Sequence, residues 1–168
     1  MKAIYLLRHA KSDWNTPFGN DHERRLNTRG VRSAKEIGKH LSVNVEPPDL
    51  VLCSTSTRTR ETIDLVLSES NWSAPVTFES GIYEATIQDV LHILNGLPDA
   101  TEVVMIVGHQ PTTGAVATWL LGGIPVEVPT CAFIHLDVDI EDWNTIGPGC
   151  ARLQHYAVPK HFNDGISD

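Results

Sequence analysis

Residues 2–9 read KAIYLLRH, a short apolar run that stops at a charged pair. A run of this length that ends in polar residues is typical of a strand buried inside a sheet. Its last two residues, Arg8 and His9, would then lie at the carboxyl end of that strand. Ligands of open α/β sheets bind at this edge, so one stretch of sequence predicts both a central strand and a candidate site.

Apolar runs alternate with amphipathic segments along most of the chain. The predicted strands are residues 2–7, 49–53, 76–78, 103–107, 131–138 and 151–158. Four predicted helices lie between them, the first capped by Asn27 or Thr28 and the third by a capping box of Thr86 and Asp89. This alternation indicates βαβ units. We therefore predict an α/β fold, a three-layer sandwich in which a mainly parallel sheet has helices on both faces.

Three of the predicted strand ends are followed by arginine or histidine. Arg8 and His9 follow the first strand, Arg58 lies where a helix opens after the second, and His109 follows strand 103–107. If these strands are neighbours, two guanidinium and two imidazole groups converge at one edge of the sheet. A helix N-terminus adds free N–H groups, and two arginine forks suit a phosphate.

Arg58 is informative because a cation is unfavourable in the first turn of a helix, where the macrodipole is already positive. An anion between Arg58 and the helix end would account for its position. Each feature has a structural alternative: His109 could be a packed core histidine, and Arg58 an ordinary helix residue. Nearby Arg60 is interpreted as a surface residue of the same helix. The coincidence of all these residues at strand ends favours a site.

The chain of 168 residues is acidic, with a formal charge of −8. It would repel nucleic acid and anionic lipid, so we expect neither nucleic acid nor a membrane as a partner. No apolar run is long enough to span a bilayer or to form a signal peptide, and a cytoplasmic location is expected. Cys53, Cys131 and Cys150 form no disulfide or zinc pattern. We expect a single domain over residues 1–168, with about 161–168 as a frayed tail.

Four segments carry a resemblance to a known family. They are LRHAKSDW at 7–14, RLNTRG at 25–30, Ser54 with Arg58 and Thr62 at intervals of four, and VGHQP at 107–111. In order and spacing they resemble the histidine phosphatase superfamily, whose fold is called phosphoglycerate mutase-like. The closest resemblance is to its small SixA-type phosphohistidine phosphatases. Gln110 stands where the family usually has Asn.

This resemblance implies roles for individual residues. His9 is implied as the nucleophile that becomes phosphorylated, and Arg8, Arg58 and His109 as the groups that hold the phosphoryl oxygens. Asn15, six residues after His9, stands where many members have an Asn that contacts phosphate. The implied activity is that of a phosphatase with a phosphohistidine intermediate.

The chemistry of these residues agrees with that activity. Neutral imidazole is the attacking form of His9, and Arg8 and Arg58 are expected to lower its pKa below the ordinary value of about 6.5. Phosphoryl transfer depends mainly on positioning and charge neutralisation, and water would hydrolyse the intermediate. No carboxylate cluster has metal-ligand spacing, so no metal ion and no other cofactor is expected.

The substrate depends on whether the site has a proton donor. An alkoxide leaving group needs one, and Glu84, just before the helix that starts at Thr86, is the candidate. Ester-hydrolysing members of the superfamily have a Glu in a comparable stretch, whereas SixA-type members tend to lack it. Glu84 could instead be an exposed loop acid.

Three functions follow from this choice. The leading interpretation is a phosphohistidine phosphatase whose partner is a phosphorylated protein. One alternative is a phosphomonoesterase that acts on a small phosphate ester, such as a sugar or nucleotide phosphate. The other is a non-catalytic phosphate-binding domain.

Overall fold

The computed structural model describes residues 1–159, which form one six-stranded sheet with two helices on each face. In chain order the strands and helices are β1 (Lys2–Arg8), α1 (Thr28–Asn44), β2 (Leu50–Ser54), α2 (Thr57–Ser70), β3 (Val76–Glu79), α3 (Ile87–Asn95), β4 (Val103–Gly108), α4 (Thr112–Leu120), β5 (Phe133–Val138) and β6 (Ala151–Ala157). Short 3-10 turns lie at Asp21–Glu23, Ser80–Ile82 and Trp143–Thr145. The tail predicted at 161–168 lies outside the described residues.

The sheet has the strand order β3–β2–β4–β1–β5–β6. The first four of these strands are mutually parallel, and β5 is antiparallel to both β1 and β6. The predicted mainly parallel sheet with helices on both faces is confirmed. Because β4 lies between β2 and β1, the three strand ends singled out in the sequence are direct neighbours.

Strand β1 is buried on both faces, which is why its sequence is continuously apolar. Ile4 and Leu6 belong to a core shared with α3 and α4. Tyr5 and Leu7 belong to a second core, shared with α1 and α2. The two cores lock β1 into the centre of the sheet and so define where its carboxyl end lies.

Local signals for helix starts are confirmed. The Asn27 side chain caps α1, and Thr86 and Asp89 form the capping box of α3. Strand β5 begins at Phe133 rather than at Cys131, because Cys131 has a φ of 63°, in the left-handed region where no strand can continue. All three cysteines are free thiols. Within residues 1–159, no helix combines the length and apolarity needed to cross a bilayer.

Candidate active site

The fold brings Arg8, His9, Arg58 and His109 together at the carboxyl edge of the sheet. The ring centroids of His9 and His109 are 5.3 Å apart. Arg58 Nη2 lies 3.5 Å from His109 Nδ1. Arg8 pairs in register with Gly108, the residue before His109. These are the four residues that the strand ends predicted, and their juxtaposition follows from the adjacency of β1, β4 and β2.

His9 is buried, with 7% of its surface exposed, and its ring orientation is defined by one hydrogen bond. Its Nδ1 lies 2.7 Å from the Ala10 carbonyl oxygen. A carbonyl oxygen only accepts, so Nδ1 carries the proton and Nε2 keeps its lone pair. The His9 backbone is held on both sides, since its N–H donates to Gly108 O at 3.1 Å and its carbonyl accepts from Cys131 N at 3.0 Å. The imidazole is therefore a fixed group with a free nucleophilic nitrogen.

Both histidines of the site are neutral at neutral pH. Burial lowers the pKa of His9 to about 3; the hydrogen bond to Ala10 opposes this shift, and electrostatic interaction with His109, Arg58 and Arg8 adds to it. Burial followed by the charge of Arg58 lowers the pKa of His109 to about 4. Arginine charge was the expected cause for His9, but removal of the ring from water is the larger one.

Each arginine of the site keeps a buried donor that has no partner among the described residues. Arg8 Nη1 donates to the Val128 carbonyl at 2.9 Å, and the Nη groups of Arg58 face Asp21. The Nε atoms of Arg8 and Arg58 are buried and have no hydrogen-bond partner within residues 1–159. An unsatisfied buried donor costs about 1–3 kcal/mol. An oxyanion bound at this edge is the kind of ligand that would satisfy such donors.

His109 is oriented by Ser54, the last residue of β2. Ser54 Oγ lies 2.8 Å from His109 Nε2. Because Arg58 can only donate, its contact with His109 makes Nδ1 the acceptor and leaves Nε2–H to donate to Ser54. Sequence reasoning placed Ser54 in a motif without assigning it a role. Its position at a strand end was the available signal.

The motif at residues 25–30 shapes the chain that follows His9. Asn27 Oδ1 accepts from the Gly30 N–H at 2.8 Å, and the Asn27 N–H donates to Lys11 O at 3.0 Å. A Cβ at Gly30 would lie 2.1 Å from that same Lys11 oxygen. Only glycine therefore lets the start of α1 approach the segment that follows His9.

Two predicted site residues lie outside the converging group. Asn15 is exposed, and its backbone N–H donates to Asp13 Oδ1 at 2.8 Å, while its side chain makes no hydrogen bond with the described residues. Glu84 is exposed with a φ of 56° and makes no hydrogen bond or ion pair within residues 1–159. Its neighbour Tyr83 instead faces the site, with ring centroids of Tyr83 and His109 5.5 Å apart.

Asp21 and Tyr83 are contacts of the site that sequence reasoning missed. Asp21 bonds to Arg58 through its carbonyl and its carboxylate, at 2.8 and 3.0 Å. The Tyr83 hydroxyl donates to Asp21 Oδ2 at 2.6 Å. Neither residue directly follows one of the strands predicted from the sequence. No local sequence pattern therefore indicated that they belong to the site.

Within residues 1–159, no group of three or more His, Cys, Asp or Glu side chains is arranged to hold a metal ion. The arginines of the site offer N–H groups, which bind anions rather than cations.

The fold and the converging side chains define an α/β protein with a site suited to an oxyanion. Residues 4–94 match the model of the histidine phosphatase superfamily (branch 1), and the chain belongs to this superfamily. An uncharacterised protein of Mycobacterium tuberculosis is 35% identical over 164 residues, which are 92% of this chain and 100% of that protein.

Solved structures extend the similarity. A protein from Agrobacterium tumefaciens designated phosphohistidine phosphatase SixA is 28% identical, with a TM-score of 0.80 over 94% of this chain and 98% of that chain. Its counterpart from Nakamurella multipartitia is 26% identical, with a TM-score of 0.79 over 94% and 96% of the two chains. The resemblance to SixA-type members and the phosphoglycerate mutase-like fold are confirmed.

Proposed function

We propose that the protein is a phosphohistidine phosphatase that passes the phosphoryl group through His9 to water without a metal ion. Membership of a phosphatase superfamily supports the reaction class. The observation that carries the proposal concerns the two carboxyl groups nearest the site. Asp21 is held ionised, and Glu84 is exposed to solvent. A site without a ready proton donor suits a leaving group that departs easily.

In the first step, His9 Nε2 attacks phosphorus and forms an N–P bond. The bond from phosphorus to the leaving nitrogen of the substrate breaks, and that nitrogen keeps the electron pair of the bond. The other ring nitrogen of the substrate already carries a proton, so the imidazole leaves as a neutral ring. Burial keeps His9 in its neutral form, in which Nε2 has a lone pair, so no base is needed to activate it. Arg8 and Arg58 neutralise the charge of the phosphoryl oxygens, which is the main contribution an enzyme makes to such a transfer.

In the second step, water attacks the phosphorus of phosphorylated His9. The N–P bond breaks, its electron pair returns to Nε2, and the protons of the water pass to the product phosphate and to solvent. The histidine is restored to its starting form. The two steps predict ping-pong behaviour with a phosphoenzyme intermediate.

The leaving group separates the candidate substrates. The Tyr83 hydroxyl, with Arg24 and Arg58, holds the pKa of the Asp21 carboxyl well below its usual range, so Asp21 has no proton to give at neutral pH. An alkoxide requires such a proton. Imidazole, with an ordinary pKa of about 6.5, is far less basic and leaves without a dedicated acid. A phosphohistidine on a partner protein is therefore the favoured substrate.

A small phosphate ester is the alternative substrate. Glu84 directly follows Tyr83, whose ring packs against His109. For an ester, we propose Glu84 as the proton donor and Asn15 as a further contact of the phosphate, each after a rearrangement of its exposed loop.

The test is phosphate release in EDTA from a phosphohistidine peptide, an aryl phosphate and an alkyl phosphate. Wild type is compared with His9→Gln and Glu84→Gln. We expect a strong preference for the phosphohistidine peptide, at least a thousandfold loss in His9→Gln, and less than a twofold effect of Glu84→Gln.

Other results redirect the interpretation. Preference for the alkyl phosphate, with a large loss in Glu84→Gln, would make the protein a small-molecule phosphomonoesterase. Binding of orthophosphate without turnover of any substrate would make it a phosphate-binding domain. Full activity of His9→Gln would remove the proposed mechanism.

A further inference from the structure

Asp21 makes two hydrogen bonds to the Arg58 guanidinium, whose Nη2 also lies 3.5 Å from His109 Nδ1. Arg58 Nη1 donates to the Asp21 backbone carbonyl at 2.8 Å, and Nη2 donates to its carboxylate Oδ2 at 3.0 Å. The Arg58 side chain is 7% exposed and the Asp21 side chain 48%, so Asp21 contacts the buried guanidinium from the solvent side of the site. The Nε–H of Arg58 remains without a partner within residues 1–159. Asp21 thus takes the Nη side of the fork and leaves Nε unused.

Asp21 is itself held from three further directions. Arg24 Nη2 donates to Oδ1 at 3.0 Å, and the Arg24 side chain is 5% exposed. The Tyr83 hydroxyl donates to Oδ2 at 2.6 Å. Asp21 also opens the 3-10 turn Asp21–Glu23, which is capped by the Asn20 side chain. Both the backbone and the carboxylate of Asp21 are therefore fixed.

Two interpretations of such a carboxylate make opposite predictions. An internal anion that blocks the phosphate site must leave before phosphate binds, and its removal should tighten phosphate binding. A brace stays in place and keeps the guanidinium aimed, so its removal should weaken binding. A backbone carbonyl cannot swing away as a side chain can, and the Arg24 and Tyr83 contacts would be lost as well if Asp21 left. These features favour the brace.

We propose that Asp21 is a positioning residue, which holds the Arg58 guanidinium so that its Nε–H serves the phosphoryl group. The inference rests on the proposed function only in that Arg58 binds the phosphoryl group, and it holds for either class of substrate. It assigns to Asp21, in the loop between β1 and α1, a part in the site that no sequence pattern indicated.

The test measures the dissociation constant of orthophosphate by calorimetry, which needs no turnover. Asp21→Asn keeps the shape of the side chain and removes its charge. Glu23→Gln is the matched control, because Glu23 lies in the same turn, is exposed, and makes no ion pair within residues 1–159. We expect at least tenfold weaker binding in Asp21→Asn and less than a twofold change in Glu23→Gln.

A double-mutant cycle tests whether the effect passes through Arg58. With Arg58→Ala as background, Asp21→Asn should cause no further loss of orthophosphate binding. Asp21→Asn should also raise KM for the phosphorylated substrate that wild type hydrolyses. This increase should parallel the increase in the dissociation constant of orthophosphate. A merely misfolded loop would reduce kcat through the fraction of active enzyme and leave KM unchanged.

Unchanged or tighter orthophosphate binding in Asp21→Asn would overturn the proposal, as would an equal loss in the Arg58→Ala background. If Asp21→Asn does not fold, the same measurements and criteria apply to Asp21→Ser. Orthophosphate binding by wild type without hydrolysis of phosphohistidine would defeat the proposed function alone, so the two failures are distinguishable.

Discussion

Thr62 joins the segment after His9 to the helix that carries Arg58. Its Oγ1 accepts from the Ala10 N–H at 3.0 Å and donates to the Arg58 carbonyl at 2.7 Å. Ala10 is the residue whose carbonyl orients the His9 ring. One buried hydroxyl therefore links the backbone next to His9 with the backbone of Arg58, one helical turn before Thr62.

Thr62→Val tests this connection, because valine keeps the shape of threonine and removes the hydroxyl. The Ala10 N–H loses its buried acceptor, which should reduce the free energy of unfolding by about 1–3 kcal/mol. We expect kcat/KM to fall roughly ten- to a hundredfold as His9 and Arg58 lose their fixed separation. Thr62→Ser, which retains the hydroxyl, should keep most of the activity. Equal kinetic losses in the two variants would argue against the hydroxyl as the cause.

Arg58→Lys should lower kcat/KM about a hundredfold or more. Lysine keeps the charge but lacks the planar fork that meets Asp21 on one side and an oxyanion on the other. Arg60→Lys is the matched control, since Arg60 is exposed two residues along the same helix and lies over the Phe78 ring at 3.9 Å. Its activity should stay within twofold of wild type. Steady-state kinetics on one substrate decide between the two expectations.

Burial of neutral His9 should make the protein less stable as the pH falls. In the unfolded chain the imidazole titrates near pH 6.5, and in the folded protein its pKa is lowered to about 3. Between these pH values the unfolded state binds a proton that the native state does not. The contribution of neutral His9 to the free energy of unfolding is therefore complete above pH 6.5 and is lost as the pH decreases.

His9→Gln isolates this effect. Between pH 7 and pH 5, the free energy of unfolding of wild type should fall by roughly 2 kcal/mol more than that of His9→Gln. Urea unfolding at the two pH values measures the difference. The other titrating groups are common to both proteins, so parallel pH dependences would mean that His9 is not buried in its neutral form.

Gly30→Ala should destabilise the protein and impair the site together. The added Cβ would lie 2.1 Å from Lys11 O and 2.9 Å from Lys11 N, so α1 or the segment after His9 must move. We expect a loss of about 3 kcal/mol in stability with reduced kcat/KM. Gly81→Ala is the control, since its Cβ would find its nearest neighbour, Ile93 Cδ1, at 3.6 Å. Thermal unfolding should leave the control close to wild type.

The converging residues were accessible to sequence reasoning because parallel strands share one carboxyl edge. Arg8, His9 and His109 follow apolar runs that are recognisable without the structure, and Arg58 follows a third. The helix caps at Asn27 and Thr86 could also be predicted, because a cap is a contact between residues three apart in the sequence. Such features depend on short-range geometry.

By itself, then, the sequence determined the α/β class and the strand ends near which Arg8, His9, Arg58 and His109 lie, because these follow from local periodicity, whereas the adjacency of β2, β4 and β1 came from the structure. Only the tertiary structure decided that Asp21 and Tyr83 join Arg58, that Glu84 is exposed beside them, and that burial is the main cause of the lowered pKa of His9. Loop positions and burial arise from packing between residues distant in the chain, and no local pattern encodes them.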